Sequence, residues 1–222
     1  MTLSNEEDSL RRPASRLAIV ASAVVMGAAL GLLALQAWGP ALASSIVEGK
    51  ASWYLSRASG LVAYVLLWMS VTAGLLSSSG IGRRLSRGPA IYDVHRHAAW
   101  LGLTFAALHA LVLMGDRHVG GDLVALLVPF AMARHARAWV ALGQLALYGG
   151  VLVALSFRLR GKLGARTWRA LHFASFTIYA IALAHGLLAG TDTSAPAVLA
   201  MYAASGAVVA TLTIIRLFEA KR

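Results

Sequence analysis

The sequence predicts an all-α integral membrane protein: a six-helix transmembrane bundle with its N- and C-termini in the cytoplasm. Three observations carry this expectation. The 222 residues are 59% hydrophobic and only 13% charged, with a mean hydropathy of +0.70, which is more apolar than a soluble domain of this length. The apolar residues fall into six runs, each long enough to cross ~30 Å of hydrocarbon at ~1.5 Å per helical residue. Lys and Arg gather in the connections between the runs, mostly on one side.

The runs follow in order after a short cytoplasmic tail, residues 1–16. The first is Leu17–Trp38. Arg11-Arg12 ahead of it and Ala41-Leu42-Ala43 behind it also fit a secretory signal with its cleavage site. The run is long for a signal, and Trp38 reads as an interfacial anchor. On either reading the second run, Ser59–Ser78, starts outside. The remaining runs are His95–Gly115, Trp139–Phe157, Leu171–Ala189 and Ala197–Leu217, so the membrane domain spans 17–217 and residues 218–222 form a second cytoplasmic tail. Between the third and fourth runs, Asp122–Ala133 is apolar enough to lie in the interface or partly re-enter the membrane. Pro129, which lacks an N–H and clashes with the preceding turn, is expected to break it.

Topology follows from the cations. The segments assigned inside hold fifteen: Arg11, Arg12 and Arg16; Arg83, Arg84, Arg87 and Arg96; Arg158, Arg160, Lys162, Arg166 and Arg169; and Arg216, Lys221 and Arg222. Those assigned outside hold five: Lys50, Arg57, Arg117, Arg134 and Arg137. This is a positive-inside bias and places the chain as a multi-pass protein of the cell inner (plasma) membrane, with membrane lipid as its first partner. The net charge of +11 is therefore a topology signal, and no nucleic-acid partner is expected. The absence of Cys excludes disulfides, Cys-ligated iron–sulfur clusters and covalently attached c-type haem.

Chemistry enters through four histidines inside apolar runs. His95 and His109 are fourteen residues apart, and His172 and His185 are thirteen apart. An ionisable side chain at membrane depth is rare and marks a functional site. The third and fifth runs cross in the same direction, so His95 and His172 share the inner level and His109 and His185 the outer. The levels lie ~20 Å apart along a helix. Two bis-histidine haems, one per level, account for this pattern economically, with neutral imidazoles as iron axial ligands. No residue of the chain is expected to be catalytic in its own right.

Fourteen residues return to within about 40° of the starting phase, whereas thirteen leave the side chains about 140° apart on an ideal helix. The second pair therefore needs a local change of winding, or haems approaching from different sides. Ala98, Ala99, Gly102 and Ala106 form a shallow strip between the first pair, suited to a flat macrocycle or to plain helix contact. Arg96 and Arg169 beside the inner pair are candidate cofactor-binding cations for haem propionates, and Arg57, Arg134 and Arg137 stand near the outer pair. Trp100, Phe105, Phe173, Phe176 and Tyr179 lie between the levels. His97 reads as a headgroup-facing residue, and His118 and His135 as exposed residues of the outer connection.

These residues resemble the ferric reductase-like transmembrane domain family. Asp93-Val94-His95-Arg96, Leu101-Gly102-Leu103 and His109 with Leu111 are similar to its first haem helix. Leu159–Gly164, Trp168-Arg169-x-Leu171-His172 and His185-Gly186 are similar to its second. The spacings of 14 and 13 match the pattern of NADPH oxidases and ferric reductases, and the likeness runs from Tyr54 to Leu217. It implies a six-helix core with two b-type haems, the inner on His95 and His172 and the outer on His109 and His185. Two departures stand out. The chain has no G-x-G-x-x-G motif and no stretch long enough for the flavin and nicotinamide module of the family's oxidases. It is also similar to the bacterial haem subunit serving a periplasmic methionine sulfoxide reductase, where Arg usually replaces the first histidine, whereas His95 is retained here.

The expected function is a b-type cytochrome, the electron-transfer subunit of an oxidoreductase. It would pass electrons from a cytoplasmic flavoprotein or quinol to an acceptor on the outer face, a partner protein or a ferric chelate ahead of oxygen, for which the sequence suggests no pocket. The alternative is a haem-free scaffold or transporter using the histidines for protons or metal. A transporter of that kind should carry broken helices and an inverted repeat, and neither is visible in the sequence.

Overall fold

Backbone polar groups at membrane depth must be satisfied within their own segment, and every apolar run in the described part of the chain becomes a helix. The computed structural model describes residues 50–80, 88–115, 123–131 and 136–220. The first run, the N-terminal tail and the Ala41-Leu42-Ala43 motif lie outside the described residues. The helices are α1 (Ala51–Ser78), α2 (Gly88–Val112), α3 (Leu123–Leu127), α4 (Arg137–Leu163), α5 (Ala165–Ala189) and α6 (Pro196–Ala220), with 3-10 turns at Leu113–Gly115 and Thr191–Ser194. Among the described residues there is no strand. The chain divides after Ala51, and apart from that first residue of α1 all of these elements belong to the unit Ser52–Arg222.

The helices overshoot the apolar runs. α1 begins at Ala51 where the run begins at Ser59, and α4 continues to Leu163, past Phe157. The extra turns of α4 carry Arg160 and Lys162, cations placed where the helix dipole favours them. Four helices, α1, α4, α5 and α6, are long and apolar enough to cross a membrane. α2 has the length, 25 residues, but Asp93, His95, Arg96 and His97 in its first half lower its hydropathy, and it is not among the four.

A single residue joins α4 to α5. Gly164 has φ +76° and ψ +155°, an extended conformation at positive φ that is open essentially to glycine alone. Its N–H closes α4 on Arg160 O at 3.0 Å, and its carbonyl accepts Trp168 N–H at 3.0 Å. So short a link folds α5 back along α4.

The expected break at Pro129 is present. α3 stops at Leu127, and Phe130 follows with φ +68°. The end of α3 leaves three carbonyls without helical partners, and α4 supplies donors for them. Gln144 Nε2 donates to Ala125 O and Leu126 O, both at 2.8 Å, and Tyr148 Oη–H donates to Leu127 O.

The main apolar core lies among α1, α5 and α6, around Tyr64, Val71, Leu75, Tyr179, Tyr202 and Val209. Its centre is polar but closed. Tyr64 Oη is 3.1 Å from Tyr179 Oη and 2.6 Å from Ser205 Oγ, and Ser205 Oγ donates to Tyr202 O at 2.9 Å. One arrangement uses each hydrogen once: Tyr179 donates to Tyr64, Tyr64 to Ser205, and Ser205 to the Tyr202 carbonyl. Rings reinforce it, with Tyr64 stacked on Tyr179 at 6.1 Å and edge-on to Tyr202 at 4.7 Å. Tyr64→Phe removes the middle link and leaves two buried hydroxyls short of a partner. The expected loss is about 1–3 kcal/mol, read as a lowered unfolding midpoint of the detergent-solubilised protein. Ser205→Ala should then add less in the Tyr64→Phe background than alone.

Candidate functional site

All four predicted histidines are brought together in the predicted pairs. His95 and His172 have ring centroids 5.9 Å apart with planes at 77°, and His109 and His185 are 6.2 Å apart at 70°. The pairing of 95 with 172 and 109 with 185 makes α2 and α5 run in the same direction. Their two histidine levels are fourteen residues of α2 apart, ~21 Å at ~1.5 Å per residue.

Each histidine of α2 is seated on α1 in the same way. His95 Nδ1 lies 2.8 Å from Ser70 O, and His109 Nδ1 lies 2.8 Å from Ser56 O. A carbonyl only accepts, so Nδ1 carries the hydrogen and Nε2 keeps the lone pair in each ring. The serine hydroxyls close the contact from the other side. Ser70 Oγ donates to His95 O at 3.1 Å and lies 3.1 Å from its Nδ1. Ser56 Oγ donates to His109 O at 3.3 Å and lies 3.1 Å from its Nδ1. Ser56 pairing with His109 and Ser70 with His95 sets α1 antiparallel to α2. His185 sits on α4 by the same backbone device, its Nδ1 2.8 Å from Trp139 O, which sets α4 antiparallel to α5.

A ring lying against the carbonyl of residue i passes over residue i+4, the next residue on that face of the helix. All three seats have glycine there. A Cβ on Gly60 would stand 2.9 Å from His109 Nδ1, one on Gly74 3.3 Å from His95 Cε1, and one on Gly143 2.7 Å from His185 Cε1. These three positions admit the rings because they lack a side chain.

His172 differs. Among the described residues no hydrogen bond reaches its ring, which instead stacks on Trp168 of its own helix at 5.2 Å and 22°. Trp168 Nε1 is buried without a partner. Arg216 of α6 covers the next residue, Phe173, at 5.6 Å. This difference accompanies the thirteen-residue spacing. α5 is α-helical throughout Ala165–Ala189, with no 3-10 or π segment between the two histidines. His185 leaves the helix toward α4, while His172 lies against its own preceding turn, and each still meets its partner on α2.

At the His109–His185 level the rings open into a cavity of about 230 Å³ whose walls include Gly60, Ala63, Ala106, Gly143 and Ala146. The small side chains make it a slot between helices. Arg57, Gln144, Tyr148 and Asp192 bring polar groups to its lining, and Gln144 Oε1 is buried without a partner. Arg57 is held in an ion pair by Asp192 of the Thr191–Ser194 turn, with Nε 2.7 Å from Oδ2, and it lies over the Trp53 ring at 5.7 Å. The small strip of α2 serves two purposes. Ala99, Gly102 and Ala106 border the cavity, while the Cα of Gly102 faces α1 so closely that a Cβ there would meet Leu66 Cβ at 3.3 Å.

The predicted cations occupy different settings. Arg57 lines the cavity. Arg96 pairs instead with Asp93 on its own helix at 3.6 Å, both side chains more than half exposed, and Arg169 is exposed. Arg117, Arg134, His118 and His135 lie outside the described residues. His97 is exposed and its Nδ1 lies 2.7 Å from Asp93 O in its own helix, in keeping with a headgroup-facing role.

The donor set limits what the pairs can hold. Among the described residues no group of three or more His, Cys, Asp or Glu side chains gathers around one point. A bare metal ion would thus find two protein ligands per level, too few for a closed tetrahedral site. Two ~2.0 Å metal–nitrogen bonds plus about 1.1 Å from each nitrogen to its ring centre give about 6.2 Å between centroids. The observed 5.9 and 6.2 Å are of the length that one metal atom between two imidazoles would need, in a group that brings its own further donors. Haem is such a group. No protein-family model, no curated protein and no solved structure matches this chain.

Proposed function

We propose that the chain is a membrane b-type cytochrome that passes electrons across the bilayer through two stacked bis-histidine haems. The observation that carries the reading is the pair of imidazoles brought together at each of two levels, with centroids 5.9 and 6.2 Å apart, a separation suited to one metal atom. The donor we assign is a cytoplasmic flavoprotein or quinol, and the acceptor a partner protein or ferric chelate at the outer face of the inner membrane. The sequence likeness to the ferric reductase-like family supports the same assignment, with His95 and His172 as inner ligands and His109 and His185 as outer ones.

The residues' own roles follow from their contacts. The Nδ1–H bonds to Ser70 O, Ser56 O and Trp139 O lock three rings and leave their Nε2 atoms free to ligate. A haem held by both imidazoles of a pair would carry electrons rather than bind oxygen or substrate. When bound, the haems supply one-electron redox chemistry within hydrocarbon that the protein chain alone cannot provide. The surrounding apolar helices exclude water and hold the two centres at fixed depths.

The test is a dithionite-reduced minus oxidised spectrum of the detergent-purified protein, with haem counted per chain. The expected result is two b-type haems. One haem would confine the assignment to a single histidine pair. None, after expression with ample haem, would sink the reading and favour a scaffold or transporter.

A further inference from the structure

We infer that Ser56 and Ser70 are positioning residues that tune the two histidine-held centres separately, one serine to each. The inference rests on the bis-histidine haem reading and adds to it a role for hydroxyls that reading does not use.

The observation is a repeat within α1. Ser56-x-x-x-Gly60 and Ser70-x-x-x-Gly74 are the same motif fourteen residues apart, the spacing of His95 and His109 on α2. Both serines are nearly inaccessible, at 2% and 4% exposure. In each, the carbonyl takes the imidazole Nδ1–H at 2.8 Å while the hydroxyl donates to the histidine's own carbonyl at 3.3 or 3.1 Å. With its hydrogen committed there, the hydroxyl oxygen turns lone pairs toward Nδ1 at 3.1 Å. Nδ1–H is thus shared between two acceptors of one residue.

A second acceptor on Nδ1–H pushes electron density to Nε2 and favours the more highly charged, oxidised metal, which lowers the reduction potential. The two α5 ligands lack this feature: Trp139 offers His185 a carbonyl alone, and among the described residues His172 has no hydrogen bond. Each level therefore carries one serine-tuned ligand, and the ~21 Å between levels isolates the effects.

The test is a redox titration of the purified, haem-loaded full chain, comparing Ser56→Ala and Ser70→Ala with the hydroxyl-retaining Ser56→Thr and Ser70→Thr. Each alanine variant should raise one midpoint, and a different one in the two variants. The expected size is about a tenfold loss of preference for the oxidised form, ~59 mV for one electron. Threonine should restore the wild-type values. Should an alanine variant lose its haem, Ser→Cys, which keeps the volume and weakens the acceptor, carries the same test and should give a smaller rise. Unmoved midpoints with haem bound, or both midpoints moving together, would overturn the inference and leave the haem reading standing. A wild-type protein without haem would overturn both.

Discussion

His109→Ala is expected to halve the haem content, from two per chain to one. The ring has nothing to replace it on α2, because its neighbours along the cavity wall, Ala106 and Ala110, carry no donor. His185 would remain seated on Trp139 O but with an empty space opposite it. His172→Ala should remove the other haem, and the double variant should be colourless. The effect should be additive in haem count, because the levels share no ligand. Pyridine haemochrome quantification of purified variants reads the result directly. Retention of two haems by His109→Ala would refute the outer ligand assignment, while loss of both would show that the centres are not independent.

Gly143→Ala should weaken the same centre without touching a ligand. The new Cβ would stand 2.7 Å from His185 Cε1 and 2.8 Å from its Nδ1, so the ring must leave its seat on Trp139 O. Loss of a partner that orients a metal-bound histidine typically lowers affinity 10–100-fold. Gly60→Ala, with 2.9 Å to His109 Nδ1, should act similarly, and Gly74→Ala, with 3.3 Å to His95, more mildly. Haem dissociation measured by transfer to an acceptor apoprotein should rank the variants in that order and confine the first two to one spectral component. Equal dissociation from wild type and Gly143→Ala would dismiss the glycine seats as incidental packing.

Much of this site was legible in the primary structure, for a physical reason. Depth in a helix is residue count times a fixed rise, so the spacings of His95 to His109 and His172 to His185 translate directly into two levels. The serine and glycine seats were written there too, as a fourteen-residue repeat in α1, yet they have meaning only once α1 lies antiparallel against α2. Arg96 shows what adjacency leaves open. It follows His95 in the chain, but helical phase turns a neighbouring residue by about 100°, and its guanidinium lies 3.6 Å from Asp93 on its own helix. Gln144 and Tyr148 gave no signal as partners of α3, because the carbonyls they satisfy are backbone groups invisible in side-chain patterns.

Composition and periodicity determined by themselves that this chain is apolar and helical, and that its histidines stand at two matched depths, since each follows from local hydropathy and the geometry of a single helix. Tertiary structure alone decided which carbonyl seats each ring and so which nitrogen is free. It also decided that three rings rest on glycine while His172 rests on Trp168. Those outcomes depend on the rotation and approach of helices far apart in the chain, and a contact of about 3 Å between them is set by packing that no single segment encodes.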